Sequence, residues 1–142
     1  MKNEQPDKSK LIKIASFMRK EFNLTVQREA ILTFSREDDH LVNFSSWLTE
    51  EQYKKYIIHV PDLLFFVGNK MWIFEIDGYI HYSNSSVVFK DVERDRIYTA
   101  AHLNWRKINE LEVLQKLGQK PDRSATASEI ITEVRKLLKQ II

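Results

Sequence analysis

Three acids interrupt two otherwise apolar runs: Asp62, Glu75 and Asp77 lie within PDLLFFVGNKMWIFEIDG, residues 61–78. A carboxylate at a core-strand position is costly unless it is paired or holds a cation. The spacing gives the trio a geometry. Gly68-Asn69 is a good two-residue hairpin turn. It pairs Val67 with Lys70 and, further along the ladder, Asp62 with Glu75. A four-residue loop over residues 67–70 keeps that register. Directly opposed Cβ atoms lie roughly 4.5–5.5 Å apart. Period-two alternation then puts Asp77 on the face of Glu75. Like charges opposed across a sheet destabilise it, so the convergence is no folding device. It suits a hard cation. Mg2+ or Mn2+ takes one or two carboxylates with a backbone carbonyl and waters, and Asp62, Glu75 and the carbonyl of Ile76 would supply them. Such an ion polarises a phosphate oxygen and acidifies a bound water, as phosphodiester hydrolysis requires. The plain alternative is a set of acids at strand ends, facing solvent.

The flanking sequence must hold this hairpin in place. Away from the acids both its faces are apolar: Leu64, Phe66, Met71 and Ile73 on one, Leu63, Phe65, Trp72, Phe74 and Ile76 on the other. A sheet apolar on both sides is covered on both sides, which predicts flanking helices. Ser9 can cap a helix to about residue 22, with Leu11, Ile14, Ala15, Met18 and Phe22 on one face and Lys10, Lys13, Arg19 and Lys20 off it. Residues 30–34 and 41–44 read as short strands joined by the acidic turn REDDH. Thr49-Glu50-Glu51-Gln52 fits a capping box opening a short helix through Tyr56. Residues 82–86 read as a polar loop, 91–103 as a charged helix ended by Asn104, and 105–108 as a short strand. The apolar run continues over 111–114 before a loop, GQKPDRSATAS. Thr126 and Glu129 form a second capping box. It opens a last helix, residues 126–141, whose stripe of Ile130, Ile131, Val134, Leu137, Leu138 and Ile141 could pack on the sheet or on a second subunit.

These elements predict one α/β domain over residues 1–142, with a core over 9–114 and a mixed central sheet in three α/β/α layers. Hydrophobic content of 43% and charged content of 30% are those of an ordinary globular chain. The absence of cysteine excludes a disulfide framework and a thiolate zinc site. No apolar run is long enough to span a membrane and the start, MKNEQPDKSK, does not resemble a secretory signal. A soluble cytoplasmic protein is the expectation. A net charge of +2 is compatible with a nucleic-acid partner without arguing for one.

Pro61-Asp62-Leu63-Leu64, then Trp72-Ile73-Phe74-Glu75-Ile76-Asp77-Gly78, then His81, resembles the core of the PD-(D/E)xK, or restriction-endonuclease-like, nucleases. The branch it is most similar to holds the very-short-patch-repair endonucleases and their relatives. Arg94-Asp95 on the following helix, and Leu103-Asn104-Trp105-Arg106-Lys107-Ile108 after it, extend the likeness over residues 60–108. The resemblance implies a restriction-endonuclease-like fold and a magnesium-dependent DNA endonuclease acting in DNA repair. Asp62 would be the central metal-binding acid, Glu75 the second acid, and His81 a proton carrier near the scissile phosphate. One departure stands out: Asp77 holds the position of the signature lysine. Lys70 and Lys90 are candidates to replace it, Lys90 the better placed. Gly78 would supply a positive φ or a close backbone approach to phosphate. Lys90, Arg94 and Arg96 would contact phosphates, or the arginines would pair with neighbouring acids of their helix. Glu21 or Glu29 would be a further acid. Trp72 and Trp105 read as core.

The expectation is therefore metal-dependent cleavage of DNA, with RNA not excluded. Two competitors stand beside it. One is a nuclease-like fold without cleavage that binds DNA or a protein. The other is a dimeric junction nuclease assembled through the last helix.

Overall fold

The computed structural model describes residues 8–42, 48–78 and 85–142, with the side chains of 85–88 outside the description. The chain begins with helix α1 (Lys8–Phe22), whose Leu11, Ile14, Ala15 and Met18 are buried as their spacing requires. Short strands β1 (Val26–Gln27), β2 (Leu32–Ser35) and β3 (Leu41–Val42) follow. A 3-10 turn (Gln52–Lys54) leads into β4 (Tyr56–His59). Strands β5 (Leu63–Val67) and β6 (Lys70–Asp77) form the hairpin. Helix α2 (Ser85–Ala100), strand β7 (Asn104–Asn109), helix α3 (Glu110–Lys116) and helix α4 (Ala127–Ile141) complete the fold.

The main sheet is mixed and four-stranded, in the order β1-β5-β6-β7. The β5–β6 pair is antiparallel with Val67 opposite Lys70 and Leu63 opposite Phe74, the register the turn demands. Gly68 has φ +63 and Asn69 is not in the left-handed region, the pattern of a II′ hairpin turn. Strand β7 lies parallel to β6, and α2 makes the crossover that a parallel pair needs. A second, three-stranded antiparallel sheet has the order β3-β2-β4.

The two faces of the hairpin separate as the alternation predicts. Leu63, Phe65, Phe74 and Ile76 pack against Leu11, Ile14 and Met18 of α1 and Ile130, Val134 and Leu138 of α4. Leu64 and Ile73 pack on the other side against Ile97 and Tyr98 of α2 and Leu32 and Phe34 of β2. The second face is therefore closed by a helix and the small sheet together, not by helices alone. Trp72 and Trp105 are partly buried against these two cores.

The α4 stripe takes the first of the two places open to it. Ile130, Val134 and Leu138 are fully buried in the chain's own core, and Ile131, Leu137 and Ile141 are partly buried against it. Both bonds of the Thr126–Glu129 capping box are formed. The Thr49–Gln52 box also forms, with Thr49 N–H donating to Gln52 Oε1 at 2.8 Å, but it opens only the 3-10 turn. Tyr56 belongs to β4, where residues 56–59 pair with β2. Two further elements depart from the sequence reading. Helix α2 starts at Ser85, and residues 110–116 are helical. Asn109 caps α3, its side chain accepting from the N–H groups of Leu111 and Glu112. The Asn109-x-x-Glu112 spacing carried that signal.

Candidate functional site

The site is built where the hairpin ladder stops. One step beyond the Leu63–Phe74 pair, Asp62 meets Glu75: the Asp62 N–H donates to Glu75 Oε1 at 3.4 Å. Continuing the register sets Pro61 opposite Ile76. Proline has no N–H, so it can give none to the Ile76 carbonyl. Separately, the Ile76 N–H donates to Asp62 Oδ2 at 2.7 Å. That bond fixes the Asp62 carboxylate at the end of the ladder.

Glu75 is 3% exposed and Asp77 1%. From α2, the Tyr98 hydroxyl donates to Glu75 Oε2 at 2.8 Å. Arg94, on the same helix one turn earlier, reaches Glu75 Oε1 at 3.6 Å, Asp77 Oδ1 at 3.4 Å and Asp91 Oδ1 at 3.4 Å. Its Nε and Nη2 both donate to Asp95 Oδ1, at 3.0 and 2.7 Å. Lys107 joins from β7, where it pairs in register with Glu75. Its Nζ lies 2.5 Å from Asp95 Oδ2 and 3.8 Å from Asp77 Oδ2. Arg94 and Lys107 thereby pair with four carboxylates, Glu75, Asp77, Asp91 and Asp95.

Burial shifts two of the site's acids, Asp62 and Glu75. Loss of solvent raises the Asp62 carboxyl to about 6, against a smaller opposing pull from its bond to Ile76 N–H. Glu75 is pushed well above the ordinary carboxylate range, by burial first and by the charge of Asp62 second. Burial opposes the charge of Arg94, but Glu75, Asp77 and Asp95 outweigh it and hold the guanidinium protonated. The Tyr98 hydroxyl is raised by burial and then by Glu75, so it stays a donor. Behind it, His59 is held neutral by burial and then by Arg94. Its ring meets Tyr98 edge-on with centroids 6.0 Å apart.

The sequence-predicted residues divide three ways. Asp62, Glu75 and Asp77 do converge, with Asp77 turned toward Arg94 and Lys107. Arg94 is not presented to solvent: it is 9% exposed and engaged by carboxylates, the neighbour-pairing alternative extended into the sheet. Arg96 is exposed but paired with Asp39 of the β2–β3 turn at 2.6 Å. Lys90 is exposed on α2, one turn before Arg94. Lys70 lies at the opposite end of β6, about 23 Å from Asp77 at ~3.3 Å per residue, and is too far to replace the signature lysine. Lys107, which the sequence reading named only within the 103–108 segment of the likeness, is the lysine beside Asp77. His81 lies outside the described residues.

Gly78 has no positive φ. Its close approach is to a protein group, since a Cβ there would stand 3.0 Å from Glu110 Oε2. That acid is itself buried, bonded through Oε1 to Lys10 Nζ at 3.1 Å and the Ala125 N–H at 2.7 Å. The two further acids also separate. Glu29 lines a shallow cleft with Asp62, whereas Glu21 sits at the other end of α1 from Lys8, which lines the same cleft. Thirteen helical residues span about 20 Å.

Among the described residues no group of three or more His, Cys, Asp or Glu is arranged to hold a metal ion. The two-carboxylate set fits a hard cation by the chemistry of its donors: all are oxygens, and Asp62 and Glu75 are buried acids whose ionised forms lack full compensation. Among the described residues no helix is long and apolar enough to cross a membrane. Comparison with family models, curated proteins and solved structures returns no match.

Proposed function

We propose that this chain is a metal-dependent endonuclease that hydrolyses DNA phosphodiester bonds. The observation that carries this reading is the Asp62–Glu75 pair. Two buried carboxylates face each other at the end of a hairpin and hold protons above the usual carboxylate range. That arrangement lowers stability by itself and favours a divalent cation in exchange for the proton.

Mg2+ or Mn2+ bound by Asp62, Glu75 and the Ile76 carbonyl would polarise a phosphate oxygen and lower the pKa of a bound water. The chain's own groups prepare the site. Ile76 N–H fixes the Asp62 carboxylate and Tyr98 fixes Glu75. Arg94 holds Asp77 and Glu75 in position from below, a supporting cation instead of a phosphate contact. Lys107 supplies the positive charge that Asp77 does not, from the neighbouring strand. Lys90, exposed on α2, is a candidate phosphate contact, and Arg96, also exposed, is paired with Asp39. His81 carries the proton in this scheme, a role that rests on the family resemblance.

The test is nicking of supercoiled plasmid with Mg2+ or Mn2+, beside Asp62→Ala and Glu75→Ala. Equal nicking by wild type and both variants would sink the proposal. A second reading, a nuclease-like binding module without cleavage, is favoured by one observation: Arg94 already gives Glu75 and Asp77 a cation, and Asp77 stands at the lysine position. Mn2+ titration separates the two, because only a working centre binds the ion in an Asp62-dependent way.

A further inference from the structure

A shallow cleft opens beside the acid pair and shares Asp62 with it. Its walls are Lys8 and Leu11 of α1, Arg28 and Glu29 of the β1–β2 connection, and Val60, Pro61 and Asp62 at the start of the hairpin. Two cations, Lys8 and Arg28, stand on its rim. Arg28 has no ion-pair partner among the described residues. Lys8 pairs with Glu29 at 3.4 Å, but both side chains are more than half exposed. An exposed pair of this kind contributes little in water and yields easily to a competing anion.

The helix that brings Lys8 adds to the positive character. The first turn of α1 holds no acid, and its N–H groups carry the positive end of a 15-residue helix. Lysines at that end are unfavourable unless an anion offsets them. Lys10 is already engaged, bonded to Glu110 and to the Ala125 carbonyl at 2.8 Å. Lys8 remains directed at the cleft.

We infer that this cleft is a subsite for the backbone phosphates of the nucleic-acid strand whose scissile bond lies at Asp62, which rests on the endonuclease reading above. A strand laid along the open end of the hairpin passes from the acid pair directly into the cleft, because Asp62 borders both. Lys8 and Arg28 hold the phosphates that flank the reacting one. Glu29 competes with the strand for Lys8, so it opposes binding.

The experiment measures anisotropy of fluorescein-labelled single-stranded and duplex oligonucleotides in EDTA, where no cleavage occurs, over a series of salt concentrations. The proteins are wild type, Lys8→Gln with Arg28→Gln, and Glu29→Gln, with circular dichroism melting to confirm each fold. The double variant is expected to bind about tenfold more weakly, with a salt slope lower by about 1.8 for duplex, the value for two lost phosphate contacts. Glu29→Gln is expected to bind more tightly than wild type. A double variant with wild-type affinity and slope overturns the subsite, as does weaker binding by Glu29→Gln or no binding by wild type. Wild type that binds through Lys8 and Arg28 yet leaves plasmid intact with Mg2+ retires the endonuclease reading and leaves the subsite standing.

Discussion

The Tyr98 hydroxyl donates to Glu75 Oε2 at 2.8 Å from a residue twenty-three positions further along the chain. This bond joins the crossover helix to the acid pair and satisfies a buried carboxylate oxygen that strand pairing cannot reach. Tyr98→Phe keeps the ring packing and deletes the donor. Urea unfolding at neutral pH should show a loss of about 1–3 kcal/mol, the cost of leaving a buried polar group unmet. No change would mean that Glu75 finds another donor.

Arg94→Met should be the most damaging single change at the site. It leaves Glu75 and Asp77, both nearly fully buried, without their guanidinium. Breaking a buried pair by removing one partner costs about 3–5 kcal/mol. Denaturant melts at pH 5 and pH 8 would check it. The deficit should be larger at pH 8, where protonation of Glu75 gives less relief.

The pH dependence of stability follows from the raised Asp62 and Glu75. Their folded pKa values exceed those of the unfolded chain, so the folded state binds more protons over the interval between. The slope of unfolding free energy with pH is then negative: Asp62 disfavours the fold as pH rises from about 4 through 6, and Glu75 as pH rises above the ordinary carboxylate range. Asp62 alone accounts for roughly 2–3 kcal/mol of this change. Asp62→Asn should flatten the profile, read by thermal melts in metal-free buffer. Under the proposed function, apparent Mn2+ affinity should rise over the same interval, because the ion binds the ionised pair. An affinity independent of pH between 5 and 7 would contradict that coupling.

Lys107→Met tests the replacement for the missing lysine. The side chain is about a third exposed, 37%, so the fold should survive. Nicking should fall by ~10²–10³, the range for loss of one preorganised electrostatic group, while Asp62-dependent Mn2+ binding persists. Lys107→Arg should recover part of the rate. Full activity in Lys107→Met would assign the role elsewhere.

Gly78→Ala probes the contact with Glu110. Glu110 is tied to Lys10 and Ala125 and has little room to yield, so the added Cβ should cost about 1–3 kcal/mol by overpacking. In a Glu110→Ala background the same change should cost much less, and equal penalties in both backgrounds would rule out the steric account.

The local pattern of residues 61–78 was enough to specify the hairpin. Gly68-Asn69 set the turn, alternation set the two apolar faces, and the register arithmetic placed Asp62 opposite Glu75. The capping box at Thr126 and the stripes of α1 and α4 were equally legible, because periodicity and caps act within a few residues. Strand β4 was not, since a four-residue apolar run has no period that separates strand from helix. Helix α3 was missed although Asn109-x-x-Glu112 announced it; the preceding strand runs directly into its cap without a loop.

What the sequence could not decide was which distant charges would answer the acids. Arg94 read equally well as a phosphate contact or a partner of its helix neighbours. The parallel docking of β7 beside β6 and the approach of α2 to the sheet turned it inward and brought Lys107 to Asp77. Those placements depend on contacts between elements far apart in the chain, where side-chain burial, not local spacing, sets the outcome. The sequence by itself determined that three carboxylates meet at one end of a hairpin; the tertiary structure decided that a buried arginine, a tyrosine and a lysine meet them there.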